Sequence, residues 1–172
     1  MKKVISVLFA VLMLMMAACG SEETPTTGAP SPTNAPTQDA YYFEYKGTKI
    51  AMNAEAAPIV AALGEPTNYF ESASCVFNGL DKEYTYADFV LKTYPKDDVD
   101  YVSAIVIMSD LAETPEKICI GADVEAVKAA YGAPASETDT LLSYTKGDSE
   151  VQFITLMGKV VSIQYFAKTD VQ

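Results

Sequence analysis

The chain of 172 residues has no histidine, no arginine and no tryptophan, and only three cysteines. The missing histidine excludes Ser-His-Asp and Cys-His catalysis and removes the commonest metal ligand. With 12 lysines against 23 acidic residues, the chain also lacks the clustered positive charge that nucleic-acid phosphates require. We therefore expect a protein that is not an enzyme and has no cofactor, no metal site and no nucleic-acid partner.

The first 19 residues follow the pattern of an exported, lipid-bearing protein. Lys2 and Lys3 precede an apolar run over residues 4–16, and residues 16–19 read Met-Ala-Ala-Cys. A basic start, a short apolar stretch and small residues before the cut are typical of a signal peptide. A cysteine at the cut resembles the lipobox of bacterial lipoproteins. We predict a lipoprotein signal peptide over 1–18 and a diacylglyceryl, palmitate-bearing Cys19; simple secretion and an uncleaved anchor are the alternatives.

After Cys19 the composition changes to Ser, Thr, Pro, Gly and Ala, with almost nothing to bury. Such a segment favours extended, solvated conformations, so we predict a disordered tether over 19–39. Removal of Lys2 and Lys3 would leave ten lysines against 23 acidic residues, a net charge of −13. This acidity favours solubility, and a partner with a basic surface is the alternative interpretation. The predicted location is the extracytoplasmic face of the cell membrane.

The remainder of the chain contains an internal duplication. Residues 50–66 align with residues 118–134 at an offset of 68, and residues 102–107 align with residues 160–165 at an offset of 58. The second copy has therefore lost about ten residues between its helix and its later strands. We predict repeat 1 over 40–112 and repeat 2 over 113–172.

Each copy is predicted to contain a helix followed by antiparallel strands. Asp123 is a candidate N-cap, and Gly64 and Gly132, each two residues before a proline, are strong helix stops. The period of apolar residues then changes to two, as in residues 89–94 and 160–165. Turns are expected at Gly47, Gly147 and Gly158. The predicted fold class is α+β, with two tandem repeats that each pack a short helix on an antiparallel sheet.

The paired Gly-x-Pro helix stops and the repeat architecture resemble the beta-lactamase-inhibitor-protein-like fold, one unit of which occurs in small lipoproteins of the SmpA/OmlA group. The resemblance covers most of residues 48–168. It implies a protein-binding module without catalysis, which often presents a concave sheet surface rich in aromatic residues. It carries over no contact residue, because only the Gly-x-Pro turns match.

Cys75 and Cys119 are the two cysteines that remain after lipidation of Cys19. An even pair in an exported protein favours a disulfide, here one that links the two copies. Two buried free thiols are the alternative, because cysteine packs well as a small apolar residue.

The aromatic residues offer the only candidate binding surface. Tyr84, Tyr86 and Tyr94 are expected to share one strand face, with Tyr69 and Phe70 near the exit of the first helix. Tyrosine is favoured at interfaces. The alternative is that the same rings fill the core. We therefore predict a membrane-anchored module that binds a protein or an envelope component.

Two other functions remain open. A weak envelope hydrolase would use carboxylates, or Ser143 and Lys146, which fit the S-x-x-K spacing but are expected on a strand rather than on the helix that this motif requires. A structural or assembly lipoprotein of the cell envelope is the third hypothesis.

Overall fold

The structure is a computed structural model that describes residues 39–169. The predicted signal peptide, Cys19 and nearly all of the tether lie outside the described residues. The described part is α+β, as predicted, with two helices, a two-stranded sheet and an eight-stranded antiparallel sheet. Within it, no helix has the length and apolar character needed to cross a membrane.

The elements follow in chain order as β1 Tyr42–Tyr45, β2 Thr48–Ala51, α1 Ala56–Leu63, β3 Asn68–Ala73, β4 Leu80–Thr85, β5 Phe89–Lys96, β6 Val99–Ile107, α2 Val124–Tyr131, β7 Ser136–Thr138, β8 Leu141–Lys146, β9 Ser149–Leu156 and β10 Lys159–Ala167. The turns predicted at Gly47, Gly147 and Gly158 are confirmed, because each connects two consecutive antiparallel strands.

Both helices end where the sequence predicts. Gly64 and Gly132 each have φ of 81° with ψ near the extended range, a conformation that glycine alone adopts readily. Their N–H groups donate to the carbonyls of Val60 and Lys128 and so close the last turn. Asp123 occupies the N-cap position of α2 but makes no side-chain cap hydrogen bond, since its carboxylate pairs with Lys159 at 2.8 Å.

The large sheet has the strand order β3-β4-β5-β6-β10-β9-β8-β7. We call α1 with β3 to β6 the first half, and α2 with β7 to β10 the second half. The two halves meet where β6 pairs with β10, with Ile105 opposite Tyr165. Both of these side chains are fully buried, so the sheet is continuous across its centre.

One face of the sheet, the packed face, carries the core. Leu91, Ile105 and Ile163 on this face form one cluster with Ile59 of α1 and Val127 of α2. The β1–β2 hairpin also packs here, because Phe43 contacts the rings of Phe89 and Tyr165. The opposite face, the open face, has neither of the two described helices against it.

A β-bulge interrupts each of the two central hairpins. Ser103 is the extra residue between β5 and β6, and Val161 is the extra residue between β9 and β10. An extra residue shifts the alternation of side chains by one. β5 itself contains no extra residue, so the predicted alternation is right for Phe89, Leu91 and Thr93, which are all buried. In β10 the extra residue is Val161, and the predicted alternation is wrong there, because Val161 is 45% exposed while Val160 is buried.

Candidate functional site

The five predicted surface aromatics lie on both faces of the sheet. Tyr84 pairs with core residue Leu91, so Tyr84 lies on the packed face, and so does Tyr69, which pairs with Tyr84. Tyr94 follows Leu91 by three residues and therefore lies on the open face. The prediction that Tyr84, Tyr86 and Tyr94 share one strand face is wrong, because the register sets Tyr94 opposite to the other two.

Of the three packed-face tyrosines in this group, Tyr86 belongs to the core and Tyr84 packs against it. Tyr86 is only 6% exposed and stacks on Phe89 at 5.0 Å between ring centroids. Burial raises the pKa of Tyr86 and of Tyr84, since the ionised phenolate loses solvation. These two residues therefore contribute packing rather than an accessible surface.

Phe70 is the most accessible of the five residues, with 59% of its surface exposed. It pairs with Glu83, which in turn pairs with Lys92, and this row lies on the open face. Tyr69, 45% exposed, lies on the other face of the same strand, where its hydroxyl donates to Glu71 and this hydrogen bond raises the pKa of Tyr69.

The loop over residues 74–79, between β3 and β4, forms one wall of a cleft on the open face. Its Phe77 ring lies 4.9 Å from the ring of Tyr94, and Tyr94 stacks on Tyr101 at 5.7 Å. We call this cleft, of about 380 Å³, the hairpin cleft. Its main lining side chains are Phe70, Ser72, Phe77, Glu83, Lys92 and Tyr94.

Hydrogen bonds hold both walls of the hairpin cleft. Ser74 Oγ accepts from the N–H of Phe77 at 3.2 Å and so shapes the loop. The Tyr94 hydroxyl donates to Asn53 Oδ1 at 3.1 Å, and burial raises the pKa of Tyr94. The aromatic wall is therefore anchored to the segment between β2 and α1.

The charges around the hairpin cleft are partly paired. Lys92 lies 2.9 Å from Glu83 on the open face, and Lys82 lies 2.6 Å from Asp100 on the packed face. The hydrogen bond to Asp100 raises the pKa of Lys82. Glu71 and Asp81 make no salt bridge with a described residue. The β3–β4 hairpin thus has more negative than positive side chains.

Cys75 and Cys119 are free cysteines, so the structure does not form the predicted disulfide. Cys75 is exposed in the β3–β4 loop, whereas Cys119 is half-buried near Glu113 in the connection that precedes α2. The alternative of two buried thiols also fails for Cys75, which is accessible to solvent.

Ser143 and Lys146 lie on β8, as predicted, and three residues of a strand place them on opposite faces. Ser143 Oγ donates to Glu150 Oε1 at 2.6 Å, and Lys146 pairs with Asp39 at 3.0 Å. The lysine is therefore not positioned to act as a base for the serine.

A second cleft, of about 770 Å³, lies beside the start of α2 and is bordered by acidic side chains. Two of these carboxylates are already paired, Asp123 with Lys159 at 2.8 Å and Glu137 with Lys128 at 2.6 Å. Across residues 39–169, no group of three or more His, Cys, Asp or Glu side chains is arranged to hold a metal ion.

Strand β3 and the loop that completes the hairpin cleft are not among the elements predicted from the sequence. Asn78 and Gly79 end this loop, and Asn-Gly is a strong hairpin signal that would have located it. The Asn-Gly signal locates the loop, whereas the contact of Phe77 with Tyr94 depends on how the loop packs on the sheet.

Comparison of the chain with protein-family models, with curated proteins and with solved structures finds no match. The resemblance to the beta-lactamase-inhibitor-protein-like fold and to the SmpA/OmlA group therefore stays a prediction.

Proposed function

We propose that this chain is a membrane-anchored extracytoplasmic lipoprotein whose non-catalytic α+β domain binds a protein through the hairpin cleft. The observation that carries the proposal is the cluster of Phe70, Phe77 and Tyr94 on a sheet face without a helix over it. Aromatic side chains bury large apolar areas at low cost in rotamer entropy, and they dominate binding at many interfaces.

The arrangement favours a macromolecular partner over a small molecule. Small-molecule sites are usually enclosed and mostly apolar, whereas this cleft is partly open to solvent and mixes aromatic rings with the Lys92–Glu83 ion pair. A partly paired, polar rim around aromatic anchors is the anatomy of a protein interface.

We propose further that the two halves are tandem repeats. Helices α1 and α2 begin at residues 56 and 124, and strands β3 and β7 at residues 68 and 136, so both pairs have the predicted offset of 68. The bulged residues Ser103 and Val161 lie 58 residues apart, which is the predicted later offset. A duplication followed by a loss of ten residues in the second copy accounts for both offsets.

Lipid attachment is tested separately from protein binding. In cells fed labelled palmitate, we expect the full chain to take up label and to sediment with membranes, and Cys19→Ser to lose both properties. Cys75→Ser is the matched control, and it should keep both. Uptake of label by Cys19→Ser would contradict the assignment.

The binding site is tested by site-specific photo-crosslinking in intact cells. A photoreactive residue at position 70 should capture a defined protein, and the same residue at position 111, which is 85% exposed outside the sheet, should not. Phe70→Ala combined with a crosslinker at position 77 should lower the yield about thirtyfold, because large interface anchors contribute about 2 kcal/mol or more. Leu156→Ala, which truncates a side chain of similar exposure (58%) in the second half, is the control. Equal capture at positions 70 and 111 would overturn the proposal.

A further inference from the structure

The outer edge of β3 has no strand beside it among the described residues. β3 is the first strand in the sheet order, and all six of its residues are exposed. The opposite edge of the sheet is formed by β7, which has only three residues. The sheet therefore has one long open edge and one short one.

The register shows which backbone groups of β3 face outward. Ser74 N–H donates to Gly79 O at 3.0 Å, which makes these two residues a hydrogen-bonded pair. Such pairs alternate along an antiparallel ladder with residues whose N–H and C=O point away from the partner strand. Counting back from Ser74, the residues that present N–H and C=O groups to the open edge are Tyr69, Glu71 and Ala73.

Of the features that usually prevent strand addition, β3 has a single charged side chain, Glu71. Natural edge strands are commonly protected by lysine, proline or a bulge. β3 has none of the three, since its sequence is NYFESA and its pairing with β4 is regular over all six residues. Next to it on the open face is the hairpin cleft, so an added strand would place alternate side chains beside Phe70.

The negative charges of β3 and β4 indicate which side chains an added strand would carry. Glu71 is the only charged residue of β3, and neither it nor Asp81 of β4 has a salt-bridge partner among the described residues. The whole chain has a net charge of −11, so a second copy of it would be repelled. A cationic side chain opposite Glu71 would instead be attracted, and it would lie within reach of the Tyr69 ring.

We propose that β3 binds an extended segment of another protein, which adds to the sheet as an antiparallel strand with alternating cationic and apolar side chains. The cationic residues lie opposite Tyr69, Glu71 and Ala73 and direct their own N–H and C=O groups toward β3. The apolar residues lie on the open face beside Phe70 and Ser72. This inference rests on the proposed function, because it names the form of the partner that the hairpin cleft receives.

The test uses the full chain in neutral detergent micelles and a fluorescent peptide of alternating valine and lysine, Val-Lys-Val-Lys-Val-Lys-Val. We expect saturable binding by anisotropy, and binding at least about tenfold weaker for the twin peptide with glutamate in place of lysine. N-methylation of the three lysines should weaken binding about tenfold or more, because it removes the donors that face β3. N-methylation of the valines, whose N–H groups point away, should change binding less than about twofold.

Two variants of the protein test the same edge. Ala73→Pro removes one outward N–H and should weaken peptide binding about tenfold, since proline is tolerated where the N–H of an edge strand faces solvent. Ala73→Val keeps that N–H and is the matched control. If Ala73→Pro does not fold, the N-methylated peptides still decide the question.

Amide hydrogen exchange identifies the occupant. The amides of Tyr69, Glu71 and Ala73 should exchange quickly in the chain alone and slowly with the lysine peptide. Protection without peptide would overturn the inference. If that protection depended on protein concentration, the occupant would be a second copy; if it did not, the occupant would be another segment of this chain.

Three results of the peptide measurements would also overturn the inference. These are no binding of the lysine peptide, equal effects of the two N-methylated peptides, and a loss of binding only with N-methyl valine. If crosslinking at position 70 still captures a partner in that case, the proposed function stands and only strand addition fails.

Discussion

The β3–β4 hairpin of the first half and the β7–β8 hairpin of the second half occupy the two outer ends of one sheet, yet they differ in size. The pair Asn68 and Thr85 encloses 16 residues, whereas the corresponding pair Ser136 and Ser143 encloses six. The difference of ten residues equals the change in offset, from 68 to 58, between the aligned segments of the sequence. It builds the loop with Phe77 and the long edge of β3 in one half and leaves a plain turn in the other.

The centre and the ends of this sheet differ in how well they tolerate changes in length. At the centre, Ile105 and Ile163 are fully buried against both helices, so any change in length there would displace the core. At the outer ends the strands are exposed, and length changes cost little. The half with the longer end contains the candidate site.

The largest change in stability is expected for core variants, which test whether the two halves unfold together. Ile105→Ala and Ile163→Ala remove the same side chain from fully buried positions that lie 58 residues apart. Each should lower the free energy of unfolding by about 3 kcal/mol, which is typical of a large-to-small change in a core. Urea unfolding, with amide exchange followed in β4 and in β9, should show both strands destabilised by either variant. Destabilisation confined to the mutated half would mean that the shared core does not couple the two.

A smaller effect is expected at the helix stops. Gly64→Ala and Gly132→Ala should each lower the free energy of unfolding by about 2 kcal/mol, because φ of 81° is unfavourable for a residue with a Cβ. The added Cβ would meet no atom within 4 Å in either half, so strain alone sets the cost and the two values should agree. Thermal and urea denaturation measure them. Values that differ by more than about 1 kcal/mol would break the equivalence of the two stops.

The smallest effect concerns two carboxylates in matching hairpin connections, Asp88 in the first half and Asp148 in the second. Asp88 accepts a hydrogen bond from the Tyr45 hydroxyl at 2.5 Å, and this bond, with a second one from Ser109, lowers the pKa of Asp88. Asp148 instead accepts from the Asn53 amide at 3.1 Å.

A lowered pKa in the folded state stabilises the protein above the ordinary value of 3.8, and this contribution disappears as the pH falls through the folded-state value. We expect Tyr45→Phe to lower the free energy of unfolding by about 0.5 kcal/mol near pH 7, and by less as the pH is lowered below about 4. Urea unfolding at several pH values tests this. In an Asp88→Asn background, the effect of Tyr45→Phe should not depend on pH; a remaining dependence would implicate another group.

Much of the fold was predictable because local chemistry determines it. Gly64, Gly132, Gly147 and Gly158 each have a backbone conformation with positive φ that other residues adopt at a cost, so their places in the sequence located the ends of helices and the turns. The offsets of 68 and 58 also recur in the helices and the bulges.

The faces of the aromatic residues were less predictable, because register depends on pairing between strands. Tyr84 and Tyr94 are ten residues apart, an even spacing that would put both on one face of a continuous strand. They lie on different strands, and the pairing of Tyr84 with Leu91 decides their faces. Val161 was misplaced for a similar reason, since a bulge leaves no mark in the apolar pattern.

The unequal ends of the sheet set how many strands the molecule can accept. A sheet with two long open edges has a valency of two and can grow into a fibre, because each copy can pair edge to edge with one copy on either side. With six residues in β3 and three in β7, this sheet has one edge of useful length. Because β7 is too short to pair with a further strand, addition at β3 alone gives a complex of one domain with one segment.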